Sequence, residues 1–202
     1  MDEVSITKIN DLNEKIDAVI EKFSDISRCL NEKDEATYLN HSKWQWTGGI
    51  IGAIAEYKQE KRLEKLLDTP IYGDLSYYKM TWFIIEETEK MVDAQAEIQK
   101  LTTPQDLIYY ENIKKILDSL LGIIQAWYNY SPEAANASLT IGKEKNVGLY
   151  LTVDYQTKEL LRKLDLPPEL KLYDTPESKN SGCMGIIIGF AIIQSLFIYF
   201  LL

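Results

Sequence analysis

Ile9-Asn10-Asp11-Leu12-Asn13-Glu14-Lys15-Ile16-Asp17-Ala18-Val19-Ile20-Glu21-Lys22-Phe23-Ser24-Asp25-Ile26-Ser27-Arg28-Cys29-Leu30 is the stretch that decides the fold class. Its apolar residues Ile9, Leu12, Ile16, Val19, Phe23, Ile26 and Leu30 recur at alternating three- and four-residue steps, with mostly charged and amide residues between them. On a helix of 3.6 residues per turn they form one narrow seam. A seam of this kind is what a bundle helix buries, so the expectation is a mainly α protein, an antiparallel helical bundle of about four helices. A long intermolecular coiled coil is the competing reading for this first helix, since three heptads is the lower limit for that pattern.

The same period recurs downstream. Tyr77, Thr81, Ile84, Thr88, Met91 and Ile98 share one face of an expected helix, with Asp74 placed to cap it. Thr103 followed by Pro104 signals the start of another, whose face carries Tyr110, Ile113, Leu117, Leu120, Ile124 and Trp127. The connections at residues 70–73 and 102–104 are short, which favours antiparallel neighbours. Glu86, Glu87 and Glu89 form a charge run expected to face solvent, with only Glu87 near the apolar stripe.

Near residues 137–155 the period changes to two. Val147, Leu149, Leu151, Val153 and Tyr155 alternate, as do Leu139 and Ile141 across Gly142-Lys143-Glu144-Lys145-Asn146, so a small β-hairpin is predicted there. A helix over 147–164 competes for the same residues, because Lys158 to Leu164 favours helix.

Trp44-Gln45-Trp46-Thr47-Gly48-Gly49-Ile50-Ile51-Gly52-Ala53-Ile54-Ala55 combines tryptophans, glycines and isoleucines before a charged run. Trp44, Trp46, Gly48, Gly49 and Gly52 are candidates either for a membrane interface, where tryptophan prefers the headgroup level, or for a helix start whose tryptophans fill the core. The favoured expectation is core. The glycines lack the preceding strand, lysine and hydroxyl of a phosphate-binding loop. His41 is the one histidine, too few for a histidine-based zinc or di-iron centre. Neither cofactor nor metal is expected.

Residues 185–202 contain no charge, and twelve of the eighteen are Ile, Leu or Phe. As a helix they would span about 27 Å, the hydrocarbon thickness of a thin bilayer, with about −4 to −7 kcal/mol of favourable insertion energy from those twelve side chains. A single C-terminal transmembrane helix is therefore expected. The resulting division is a cytosolic helical domain over 1–166, a linker with Pro167, Pro168 and Pro176 over 167–183, and an anchor over 184–202. Met1-Asp2-Glu3-Val4-Ser5 has neither a basic leader nor an apolar signal region, so the body is expected in the cytosol. The membrane would be the endoplasmic reticulum or another thin one in a eukaryote, or the inner membrane in a bacterium. Gly185 and Gly189 have the small-residue spacing that allows close helix contact, predicting weak homodimerisation; Cys183 beside the anchor is a lipidation candidate.

With 22 Lys and Arg against 31 Asp and Glu the net charge is −9, which sets nucleic acid aside as a partner. Two cysteines make no disulfide framework. Tyr72-Gly73-Asp74-Leu75 fits a tyrosine-based sorting pattern, but among 13 tyrosines a packed loop is the plainer expectation. These residues point to a tail-anchored adaptor or scaffold whose bundle binds a protein partner. A membrane-remodelling, tethering or permeabilising protein that uses residues 44–55 is the alternative, and a membrane-bound enzyme comes last because no catalytic constellation is present.

Overall fold

A computed structural model describes residues 3–32, 50–103, 107–141 and 145–166. It is mainly helical. Helix α1 (Glu3–Glu32) buries Ile9, Leu12, Ile16, Val19, Phe23, Ile26 and Leu30, the seven residues of the expected seam. Helix α2 (Ile50–Asp68) is followed by a two-stranded hairpin of β1 (Pro70–Tyr72) and β2 (Leu75–Ser76), and then by α3 (Tyr77–Leu101). The hairpin changes how α3 begins. Asp74 lies in the hairpin turn, and Ser76 is the N-cap, its hydroxyl accepting from the Lys79 amide at 3.3 Å. The α3 face read from the sequence is buried at all six positions, and Glu87, Ala94 and Gln95 join it.

Helix α4 (Leu107–Tyr130) shares Ile113, Leu120 and Trp127 with the expected face but completes it differently. Ile116 and Ile123 are fully buried, whereas Leu117 and Ile124 are half-buried and Tyr110 is 42 % exposed. Two neighbours explain the shift: α4 packs on both α1 and α3, so its buried stripe leans toward the crevice between them.

Cross-helix contacts fix the directions. Lys8 meets Glu97 and Lys22 meets Glu87, so α1 and α3 are antiparallel. The Tyr77 hydroxyl reaches the Trp127 carbonyl, so α3 and α4 are antiparallel as well. In contrast, Asn13 meets Asn112 and Asp17 meets Lys115, which makes α1 and α4 parallel. The antiparallel pairing expected across the short connection between α3 and α4 is therefore present, whereas α1 and α4 depart from an all-antiparallel bundle; α2 packs near β2, α3 and α5 (Pro132–Ala135).

Beyond α5, strands β3 (Ser138–Ile141) and β4 (Lys145–Gly148) pair antiparallel from Ser138↔Gly148 to Ile141↔Lys145. The hairpin is real but shorter than the alternation suggested. Helix α6 (Leu149–Leu161) takes over at Leu149 and buries Leu149, Thr152, Val153, Thr157 and Leu161, leaving Leu151 and Tyr155 exposed. Leu149 and Val153 are two apart in the alternating pattern and four apart in sequence, so they satisfy a strand face and a helix face equally. The packing of α6 along α3 decides between them.

The bundle unit ends at Asp165. Among the described residues no helix is long and apolar enough to cross a membrane. The expected linker and anchor, 167–202, lie outside the described residues.

Candidate functional site

Of the residues singled out in the sequence, Trp44, Trp46, Gly48, Gly49, His41, Cys183, Gly185 and Gly189 lie outside the described residues. Gly52 falls in the first turn of α2. Just beyond it, Ile54 is 51 % and Tyr57 61 % exposed, and the Lys61 ammonium sits 5.9 Å from the Tyr57 ring centre. At these two positions α2 turns apolar side chains to solvent. Tyr72-Gly73-Asp74-Leu75 forms the turn of the β1–β2 hairpin, where Tyr72 pairs with Leu75 and Gly73 adopts φ +54°, the left-handed conformation glycine accepts without a side-chain clash. Beside it Ile71 is buried, and the Cys29 thiol donates to its carbonyl at 3.6 Å. The turn itself is open: Tyr72, Gly73 and Asp74 are exposed, so the packed loop expected from the sequence is confined to Ile71 before it and Ser76 after it.

Glu87 is the one member of its charge run that enters the core; its side chain is 4 % exposed, while Glu86 and Glu89 face solvent. Lys22 of α1 donates to one carboxylate oxygen at 3.0 Å and Lys90 donates to the other. Burial pushes the Glu87 carboxyl up, but hydrogen bonds and charge from Lys90 and Lys22 outweigh it and hold the group below its ordinary value. A carboxylate that is kept ionised, with both oxygens engaged, is a poor general base. Its geometry suits a clamp between α1 and α3.

At the start of α3, Tyr77 is fully buried and stacks on Trp127 at 4.9 Å and on Tyr130 at 6.2 Å between ring centres. Its hydroxyl lies 2.9 Å from the Trp127 carbonyl, in the last turn of α4, and 3.1 Å from the carbonyl of Ser131, the α5 N-cap, which also accepts the Ala135 amide at 2.9 Å. Burial raises the Tyr77 pKa well above its ordinary value, with nearby Tyr128, Glu133 and Tyr130 adding to the effect. Tyr78 and Trp82 meet edge to face, as do Tyr128 and Tyr150. This aromatic end of the bundle went unread as a unit, although Tyr77 and Trp127 each stood on an expected core face. Their pairing depends on α3 and α4 being antiparallel neighbours.

The Asn13–Asn112 contact at 2.6 Å was also missed; Asn112 is buried, and neither asparagine belongs to an apolar seam. Such a pair fixes the register of two helices rather than performing chemistry. Among the described residues no group of three or more His, Cys, Asp or Glu is placed to hold a metal ion. The arrangement brings together ion pairs, stacked rings and an amide pair, all of which position helices against one another. No protein-family model, curated protein or solved structure matches the chain.

Proposed function

We propose that this chain is a membrane-anchored adaptor, held at a bilayer by residues 185–202 and presenting its helical body to a protein partner. The observation that carries the reading is the uncharged, isoleucine-, leucine- and phenylalanine-rich run at 185–202, which would insert favourably in lipid. The body is assigned a binding role because its buried carboxylate, Glu87, is consumed by a structural clamp. Gly185 and Gly189 would support a weak homodimer within the membrane, and the linker over 167–183 would set the body off from it.

Alkaline carbonate extraction of the full chain tests the anchor. Retention in the membrane pellet is expected, and release of the intact chain would overturn it. Proximity labelling with and without residues 184–202 tests the adaptor role; a discrete partner set that depends on the anchor is the expected result.

A second reading, membrane remodelling or tethering through residues 44–55, gains support from Ile54 and Tyr57, which face solvent on α2 just after the tryptophan and glycine segment. Vesicle flotation of the chain lacking 184–202 separates the two. Binding that is lost in the Ile54→Glu, Tyr57→Glu variant would favour this alternative.

A further inference from the structure

Helix α2 is the least buried of the long helices. Among its described side chains none is buried, and half-burial of Leu63, Leu66 and Leu67 marks the side it turns to the bundle. Ile54 and Tyr57 lie about 160° round the helix from those leucines, and both are more than half exposed. With Lys61 they recur at three- and four-residue steps, the spacing of a seam that one helix offers another. Ile50 holds the position four residues earlier on the same line.

The charges beside this stripe are sorted. Lys58, Arg62 and Lys65 stand along one edge and Glu60 and Glu64 along the other, all of them exposed. Lys61, within the stripe, is neutralised in its own chain by Glu64 at 2.8 Å and holds its ammonium over the Tyr57 ring. Across α2 as a whole Lys58, Lys61, Arg62 and Lys65 balance Glu56, Glu60, Glu64 and Asp68, although the chain carries −9. A second copy can therefore approach this helix without local repulsion. The sorted edges also choose a direction. When two such helices pair in parallel about a two-fold axis, the acidic edge of each faces the basic edge of the other, and position 60 meets position 65. An antiparallel pair would set acidic edge against acidic edge and basic against basic.

We propose that two copies of this chain pair in parallel through α2, with Ile54 and Tyr57 closing the seam and Glu60 meeting Lys65 of the partner subunit. The contact goes beyond the adaptor reading and does not depend on Gly185 and Gly189.

Crosslinking of the full chain in mild detergent with a short bismaleimide tests it, after Cys29→Ser and Cys183→Ser remove the native thiols. Lys61→Cys is expected to give several-fold more dimer than Lys114→Cys, an exposed site on α4 that reports chance encounters. Adding Ile54→Glu is expected to bring the yield down to the Lys114→Cys level. Glu60→Lys or Lys65→Glu alone sets like charges across the seam and should lower the Lys61→Cys yield about fivefold, while the two together restore it. These charge changes fall on exposed side chains, and unaltered circular dichroism will show that the fold is kept. A Lys61→Cys yield no higher than that of Lys114→Cys overturns the proposal. So does a Glu60→Lys, Lys65→Glu chain that fails to recover, since the two edges would then not meet. If Ile54→Glu abolishes vesicle flotation and leaves crosslinking intact, the stripe meets lipid and the contact is overturned in favour of the membrane alternative. Any of these results with the full chain still held in the carbonate pellet leaves the anchor reading standing.

Discussion

Helices α1 and α6 both pack along α3, yet α1 buries seven apolar side chains and pairs its charges with α3, while α6, thirteen residues long, buries Leu149, Val153 and Leu161 beside two threonines. The first arrangement specifies one register: apolar knobs recur every three or four residues, and Lys22 can reach Glu87 only when α1 and α3 are correctly aligned. The second holds α6 by fewer apolar contacts, with its buried threonines Thr152 and Thr157 bonded to their own backbone carbonyls at Gly148 and Val153 rather than to α3. Two helices can share a neighbour and still differ in how firmly they are tied to it.

Truncation in the two helices gives the largest contrast. Phe23→Ala, at a fully buried position that also meets the Phe83 ring edge to face, is expected to cost about 3–5 kcal/mol in chemical denaturation. Leu161→Ala, at the end of α6, should cost less than about 3 kcal/mol. Equal losses would mean that α6 is as integral as α1.

Removing the clamp comes next. Lys22→Met with Lys90→Met strands the Glu87 carboxylate in the interior and should cost about 2–3 kcal/mol, reduced from the fully buried case because both ammonium ends are half exposed. Adding Glu87→Met to that pair should restore most of the loss. The same clamp gives a pH signature. Because the folded carboxyl is held below its ordinary value of 4.5, its contribution is complete above that pH and is lost as pH falls toward the folded value. The Glu87→Met, Lys22→Met, Lys90→Met protein should therefore lose less stability on acidification than the parent.

Tyr77→Phe keeps the stack on Trp127 and removes the hydroxyl, exposing how much the α4 terminus relies on it. A loss of about 1–2 kcal/mol is expected by thermal denaturation. The smallest effect belongs to Lys163→Met, which cuts exposed ion pairs to Glu89 and Asp93. It should cost below about 1 kcal/mol at low salt and nothing measurable at high salt.

Much of the fold was legible because burial in a helix leaves a period. Every residue of the α1 seam and all six expected positions of α3 proved buried, since each of these helices has one continuous inward face. The α4 face was read half correctly, because a helix with two neighbours buries a stripe whose centre depends on where they sit. Asp74 was a chemically suitable cap displaced by the β1–β2 hairpin, which is too short to leave a period. Glu87 was flagged by its place beside the apolar stripe. Its partner Lys22 could not be, as it lies 65 residues away, whereas Lys90 stands three residues along the same helix, within ordinary helical reach.

Periodicity and composition alone determined that the chain is mainly helical, which faces α1 and α3 bury, and that residues 185–202 form an uncharged apolar run, since each of these is a property of neighbouring residues along the chain. Only the tertiary structure decided that α1 and α4 run parallel, that Tyr77 closes the end of α4, that residues after Gly148 turn helical, and that Lys22 meets Glu87. Those outcomes depend on contacts between distant segments, whose energies no local pattern encodes.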